Sequence, residues 1–79
     1  MKREEIESKV AEVVCEELNI PSCEMSDRLS EDLVADSLDV IEIIIGCEKE
    51  FDIYIESGAL EGEEFETVGD IADFIQKQL

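Results

Sequence analysis

The sequence predicts an all-α fold: a small antiparallel bundle of three main helices plus one short helix, with a long loop between the first and second. Apolar residues recur at helical spacing in three separate segments. Good capping residues open two of those segments. Apart from a short stretch around Ile53, nothing alternates apolar and polar residues as a half-buried strand does. The 79 residues suit a single domain over 1–79. Its core must be thin, because a chain this small buries only about 60–65% of the surface it exposes unfolded.

The first helix is marked by Ile6, Val10, Val13, Val14 and Leu18 on one face. Glu4, Glu5 and Glu7 crowd its first turn, where the helix dipole favours negative charge. Asn19 and Pro21 end it. Residues 19–35 form a long connection dotted by Ile20, Met25, Leu29 and Leu33. Loops this long in compact domains usually serve a function when ordered, and the dotted apolar residues predict that this one is pinned across the bundle.

The second helix opens at Asp36 as N-cap, with Ser37 at the first helical position and Asp39 at the third. At 100° per residue, Asp39, Glu42, Gly46, Lys49 and Glu50 share one side. Leu38, Val40, Ile41, Ile44, Ile45, Cys47 and Phe51 spread over roughly 160° opposite, with Ile43 bordering the polar side. That arc exceeds what docking on one neighbour requires. Either the helix is central, or part of its apolar face awaits a partner or ligand. Leu38 and Ile45, at the edge of the arc, are the residues expected to be exposed, and Glu48 inside the arc points the same way.

In "FDIYIESGALEGEEFE", Ile53 and Ile55 predict a short extended stretch and Leu60 a brief helical turn, weakened at Gly58 and Gly62 by up to about 1 kcal/mol each. The last helix is capped by Thr67 with Asp70 three residues on, and Val68, Ile71, Ala72, Ile75 and Leu79 share its face, flanked by Phe74.

Composition narrows function. There are 23 acids against 6 bases and a formal net charge of −17. Such a surface repels phosphate backbones, so nucleic acid is excluded as a partner and basic proteins or cations are favoured. Thirteen of the acids lie between Glu31 and Glu66, opposed there only by Lys49. The absence of histidine rules out a Ser-His-Asp arrangement. Cys15, Cys23 and Cys47 form no CxxC pair, so neither zinc nor any other metal site is expected. Cys15 and Cys47 are expected to pack within helices and Cys23 to be a free surface thiol. The N-terminal "MKREEIESKV" lacks an apolar signal core, and no apolar run reaches the roughly 18 residues of a membrane helix. A cytoplasmic monomer without membrane insertion is the expectation.

Ser37 admits two readings. It is either ordinary helix-start chemistry or a point of attachment. A phosphate ester at this position would meet free backbone N–H groups and the positive end of the helix dipole. Lacking a local base, the serine would be a passive acceptor rather than an activated nucleophile.

The run Asp32-Leu33-x-Ala35-Asp36-Ser37-Leu38-Asp39-x-x-Glu42 resembles the attachment motif of acyl carrier proteins. The resemblance continues in Glu48-x-Glu50-Phe51-Asp52, Ile55 and Thr67-Val68-x-Asp70-Ile71, and covers nearly the whole chain. It implies a carrier, not an enzyme. A holo-carrier (phosphopantetheinyl) transferase would move 4′-phosphopantetheine from coenzyme A onto Ser37, with Asp36 and Leu38 beside it. The arm's terminal thiol, rather than any cysteine of the chain, would carry acyl groups in fatty acid or related polyketide synthesis. The resemblance further implies that Asp36, Leu38, Asp39, Glu42, Ile45 and Glu48 meet basic docking patches on acyl-transferring and synthase enzymes. Val40, Ile44, Phe51 and Ile71 would line a shelter for the acyl chain.

Some residues depart from the family. Val34 stands where glycine is usual. A β-branched residue is costly at φ > 0, so the preceding turn is expected to differ or not to need that conformation. Lys49 replaces a usual acid, and the segment between Phe51 and Thr67 is longer and richer in glycine. The competing readings are a carrier for an aminoacyl or other activated acid, and an acidic interaction or inhibitor module without a prosthetic group. A calcium site is disfavoured, because no DxDxDG-type loop is present.

Overall fold

A computed structural model describes all 79 residues. Three α-helices, α1 (Arg3–Leu18), α2 (Ser37–Phe51) and α3 (Val68–Gln78), and one 3-10 turn (Ser57–Leu60) follow in that order. There are no strands, so the all-α expectation holds. The extended stretch expected at Ile53 and Ile55 does not form. Its backbone finds partners in the end of α2 instead: the Ile53 N–H donates to the Glu48 carbonyl (3.0 Å) and the Ile55 N–H to Glu48 Oε2 (2.8 Å).

The helix starts and stops follow local chemistry. At α2, Asp36 Oδ1 accepts the Asp39 N–H (2.9 Å) while Asp39 Oδ2 accepts the Asp36 N–H (3.0 Å). The same reciprocal box forms between Thr67 and Asp70 at α3. Each satisfies two backbone donors that the helix cannot. Asn19 and Asp52 end α1 and α2 in the left-handed region (φ 56° and 53°), which their short polar side chains tolerate.

The core joins Ile6, Val10, Val13 and Val14 of α1, Ile43, Ile44, Cys47 and Phe51 of α2, and Val68, Ile71, Ala72, Phe74 and Ile75 of α3. Leu29, Ala35 and Ile55 complete it from the connections. The helix-to-helix packing is α1 against α2 and α1 against α3. Gly46 makes the close approach possible: a Cβ there would stand 2.7 Å from Val13 Cγ1. The buried face of α2 is therefore turned towards Ile43 and Gly46, away from the centre of its apolar arc. Ile43, read from the sequence as a border residue, is fully buried. Leu79 departs from the α3 face as well. It lies beyond the last helical residue and stays half exposed.

Residues 19–36 cross the bundle and are tied to the start of α3, as the dotted apolar residues predict. The Gly69 N–H donates to the Met25 carbonyl (2.8 Å), the Val68 N–H to Asp27 (3.1 Å), and the Leu29 N–H to Glu66 (2.8 Å). The buried Leu29 side chain anchors the crossing, and the Ala35 N–H folds back onto the Leu29 carbonyl (2.7 Å). This connection delivers Asp36 and Ser37 to the mouth of a groove.

Candidate functional site

Ser37 is exposed at the first position of α2. The carboxylates of Asp36 and Asp39 each spend one oxygen on the capping box, and neither hydrogen-bonds the serine hydroxyl. The box also caps the third N–H of the helix and leaves those of Ser37 and Leu38 as uncapped first-turn donors. The position thus combines an accessible hydroxyl, no local activation and backbone donors suited to an esterified phosphate.

Beside Ser37 opens a groove of about 420 Å³. Leu29, Ala35 and Ile44 form its floor. Val40 and Ile41 make one wall and Leu60 and Phe65 the other, while Ser30, Asp36, Ser37 and Glu63 supply the polar rim. Phe65 is held in place by an edge-on contact with Phe74, ring centroids 5.4 Å apart at 80°. The volume falls in the range of small-ligand sites, and an apolar trough with a few polar groups at its mouth suits a chain tethered at that mouth.

Of the four residues expected to line an acyl shelter, Val40 and Ile44 line this groove. Phe51 and Ile71 do not. They are packed in the core. Sequence reasoning missed Ile41, Leu60, Glu63 and Phe65 as lining residues. The signal for Ile41 was present: four residues after Ser37 on a helix, it must share that residue's face. Nothing in the sequence indicated that residues 60–65 would fold over α2.

The outer face of α2 carries a row of exposed apolar side chains, Leu38 (68%), Ile41 (49%) and Ile45 (45%), with the exposed Glu42 beside them. Leu38 and Ile45 are the two residues the wheel placed at the edge of the arc. Glu48 has a different place. It is half-buried and its carboxylate is held by the Ile55 N–H, so it braces the chain after α2 instead of facing outward.

The connection before Ser37 is strongly acidic. Its one cation, Arg28, is taken up by Glu31 (2.8 Å) and Asp32 (3.5 Å). Asp32 titrates below the usual carboxylate range, first because it accepts the Arg28 backbone N–H (2.8 Å) and then because the guanidinium is near. Val34 adopts φ 56° with its side chain 82% exposed. The expectation that valine would change this turn or make positive φ unnecessary is overturned. The left-handed conformation is kept, because the Leu33 and Ala35 N–H groups both fold back onto residues 28–29 and fix the path between them.

The phosphopantetheine attachment site family matches residues 8–75 of the chain. Among curated proteins, an acyl carrier protein of Thermotoga maritima is 38% identical over 98% of this chain and 95% of its own length. One from Porphyromonas gingivalis is 40% identical, covering 95% of this chain and 96% of its own. One from Borreliella burgdorferi is 42% identical, covering 99% and 98%. Among solved structures, a type-II acyl carrier protein from Streptomyces verticillus, involved in bleomycin biosynthesis, superposes with a TM-score of 0.75. It covers 95% of this chain and 87% of its own at 21% identity, a likeness of fold.

Proposed function

The chain belongs to the acyl carrier protein family, whose members carry acyl groups on covalently attached 4′-phosphopantetheine, and from this premise we propose that Ser37 is the attachment point. The observation that carries this reading is the joint position of Ser37: exposed, at the N-terminus of α2 and at the mouth of an apolar groove of ligand size. The prosthetic group supplies a long flexible tether ending in a thiol, which takes acyl groups as thioesters. The chain's own residues present and shelter it. Ser37 offers an oxygen as passive acceptor, so activation belongs to the modifying transferase. The Ser37 and Leu38 N–H groups would be the donors available to hold the ester phosphate, and Asp36 fixes the turn that leaves them uncapped. Val40, Ile41, Ile44, Leu60 and Phe65 exclude water from the part of the cargo that enters the groove.

Residues 1–79 act as one carrier unit without catalytic residues of its own. Partner enzymes, the holo-carrier transferase and the acyl-transferring enzymes among them, dock on Leu38, Ile41, Ile45 and the nearby carboxylates of Asp36, Asp39 and Glu42. Asp36 and Asp39 can serve in both places, because each uses one carboxylate oxygen in the cap and keeps the other. Basic partners would be steered by the −17 charge. Exposed ion pairs are individually worth about 0–1 kcal/mol, which suits a shuttle that must also leave. No helix is long and apolar enough to cross a membrane, in keeping with a carrier that diffuses between enzymes.

The test is to incubate the protein with coenzyme A, magnesium and a promiscuous phosphopantetheinyl transferase, then measure its intact mass. A gain of one phosphopantetheine, abolished in Ser37→Ala, is expected. No gain, or a gain that survives the substitution, would overturn the assignment.

A further inference from the structure

Cys15 and Cys23 lie eight residues apart in sequence, and the fold brings them together. Their sulfurs are 3.7 Å apart, with the Cys15 thiol directed at Cys23 and the Cys23 thiol at the Ala11 carbonyl (3.9 Å). Cys23 is a free thiol, as expected from its polar neighbourhood, but it is half-buried against Cys15. It is folded onto the outer side of α1 by the turn through Asn19 and Pro21. Both thiols are half-buried and line a shallow depression together with Ala11, Pro21 and Ser22. Cys47, by contrast, is fully buried and takes no part. We propose that Cys15 and Cys23 are a paired modification site, closing into an intramolecular disulfide when a small-molecule disulfide such as oxidised glutathione is supplied.

The sulfurs need to approach by less than about 2 Å to reach bonding distance, a movement within the reach of side-chain rotation and a small shift of the turn. The depression leaves room for the incoming disulfide. The Cys15 thiolate attacks one of its sulfurs, forming a mixed disulfide and expelling one glutathione thiolate. Cys23, losing its proton to solvent, then displaces the second glutathione. Two protein thiols become one disulfide while one small disulfide becomes two thiols, so the electrons balance. Burial, then the neighbouring Cys15, pushes the Cys23 thiol up to about 12, so closure is favoured at alkaline pH, and the disulfide formed is the same whichever sulfur attacks first.

The closed ring would fasten the first turn of the long connection to α1. Downstream of residue 24 that connection is already tied to α3 by backbone hydrogen bonds, while its upstream end is held to α1 by the Asn19 and Ile20 N–H groups on the Cys15 carbonyl and by weak thiol contacts. A disulfide closing a ring of this size raises the melting temperature of a small domain by about 10 °C or more.

The experiment exposes the purified protein to oxidised glutathione at mildly alkaline pH, alkylates remaining thiols and digests with trypsin. No lysine or arginine lies between Lys9 and Arg28, so Cys15 and Cys23 leave on one peptide, Val10–Arg28. Ser37 and Cys47 leave on another, Leu29–Lys49, which keeps any arm thiol separate. The expected result is a Val10–Arg28 peptide lighter by two hydrogens and free of alkyl groups, with a melting temperature raised by about 10 °C that dithiothreitol reverses. Cys15→Ser should show neither change. Two alkyl groups on that peptide, a lasting glutathione adduct, a link to Leu29–Lys49, or closure without any rise in melting temperature would each overturn the proposal.

Discussion

Replacing Val34 by glycine should stabilise this protein, although the replacement removes an apolar side chain. Three non-glycine residues have positive φ: Asn19, Val34 and Asp52. Asn19 and Asp52 tolerate the left-handed region, whereas a β-branched residue does not. The strain at Val34 is about 1–2 kcal/mol. Its side chain is 82% exposed, so truncation forfeits almost no burial. Glycine has its own cost, because it enlarges the unfolded ensemble by roughly 0.5–1 kcal/mol. The balance favours Val34→Gly by about 0.5–1 kcal/mol, or roughly 2–8 °C in melting temperature for a chain of this length. Val34→Asn separates the two effects, since asparagine accepts the left-handed region without the entropy of glycine. It should stabilise at least as much. Thermal and urea unfolding followed by far-ultraviolet circular dichroism at one fixed salt concentration gives both numbers. If both variants melt at or below the parent temperature, the backbone of Val34 is not strained and the argument fails.

Three further outcomes follow from the packing and the charge. Gly46→Ala should destabilise by about 1 kcal/mol even though alanine is the better helix former by a similar amount, because the new Cβ meets the stiff Val13 side chain at 2.7 Å; an unchanged urea midpoint would mean that α1 can move aside. Burial pushes the Cys47 thiol up to about 12, while in the unfolded chain it titrates near 9, so its contribution is full below about pH 9 and fades as pH rises towards 12. Stability should accordingly fall by up to about 1.4 kcal/mol per pH unit above pH 9 through this group, and Cys47→Ala should show a shallower decline from a lower start. The net charge of −17 should make the melting temperature climb with sodium chloride and with millimolar magnesium; a flat response would show that the acids are already compensated.

The parts of the fold that local chemistry decides were legible in the sequence. The N-caps at Asp36 and Thr67, the box at Asp70, the exit at Asn19 and, Leu79 apart, the core faces of α1 and α3 follow from residue type and spacing alone. What stayed hidden depends on contacts between distant segments. The rotation of α2 that buries Ile43 is set by how closely Val13 approaches Gly46, and a helical wheel carries no information about which neighbour sits where. The extended stretch at Ile53 was a sound local reading with no partner strand to pair with, so its N–H groups turned to Glu48. The groove was half legible. Its α2 wall follows from the position of Ser37, but Leu60 and Phe65 come from a glycine-containing segment whose path is fixed by tertiary contacts such as that of Phe65 with Phe74.

The wide apolar arc of α2 posed a choice between a central helix and one with an unpartnered face, and both halves of the choice turn out to operate. Ile43, Ile44, Cys47 and Phe51 are sealed inside, while Leu38, Ile41 and Ile45 remain in water. In a chain this small, each of these half- to two-thirds-exposed side chains forgoes roughly 1–2 kcal/mol of possible burial, a large sum beside the total stability of a small domain. A fold selected for stability alone would turn these residues inward or replace them with polar ones. Under the proposed function their position beside Ser37 would give this exposure a use, because an enzyme docking at that serine would bury these side chains. The acids then supply what apolar contact lacks, which is long-range attraction and release by salt. Glu42 can take that role fully and Asp36 and Asp39 with one oxygen each, whereas Glu48 is committed to Ile55. Partner binding should therefore weaken more on Glu42→Gln than on Glu48→Gln, and the latter should instead lower the melting temperature. The reverse pattern would place the docking face on the other side of the helix.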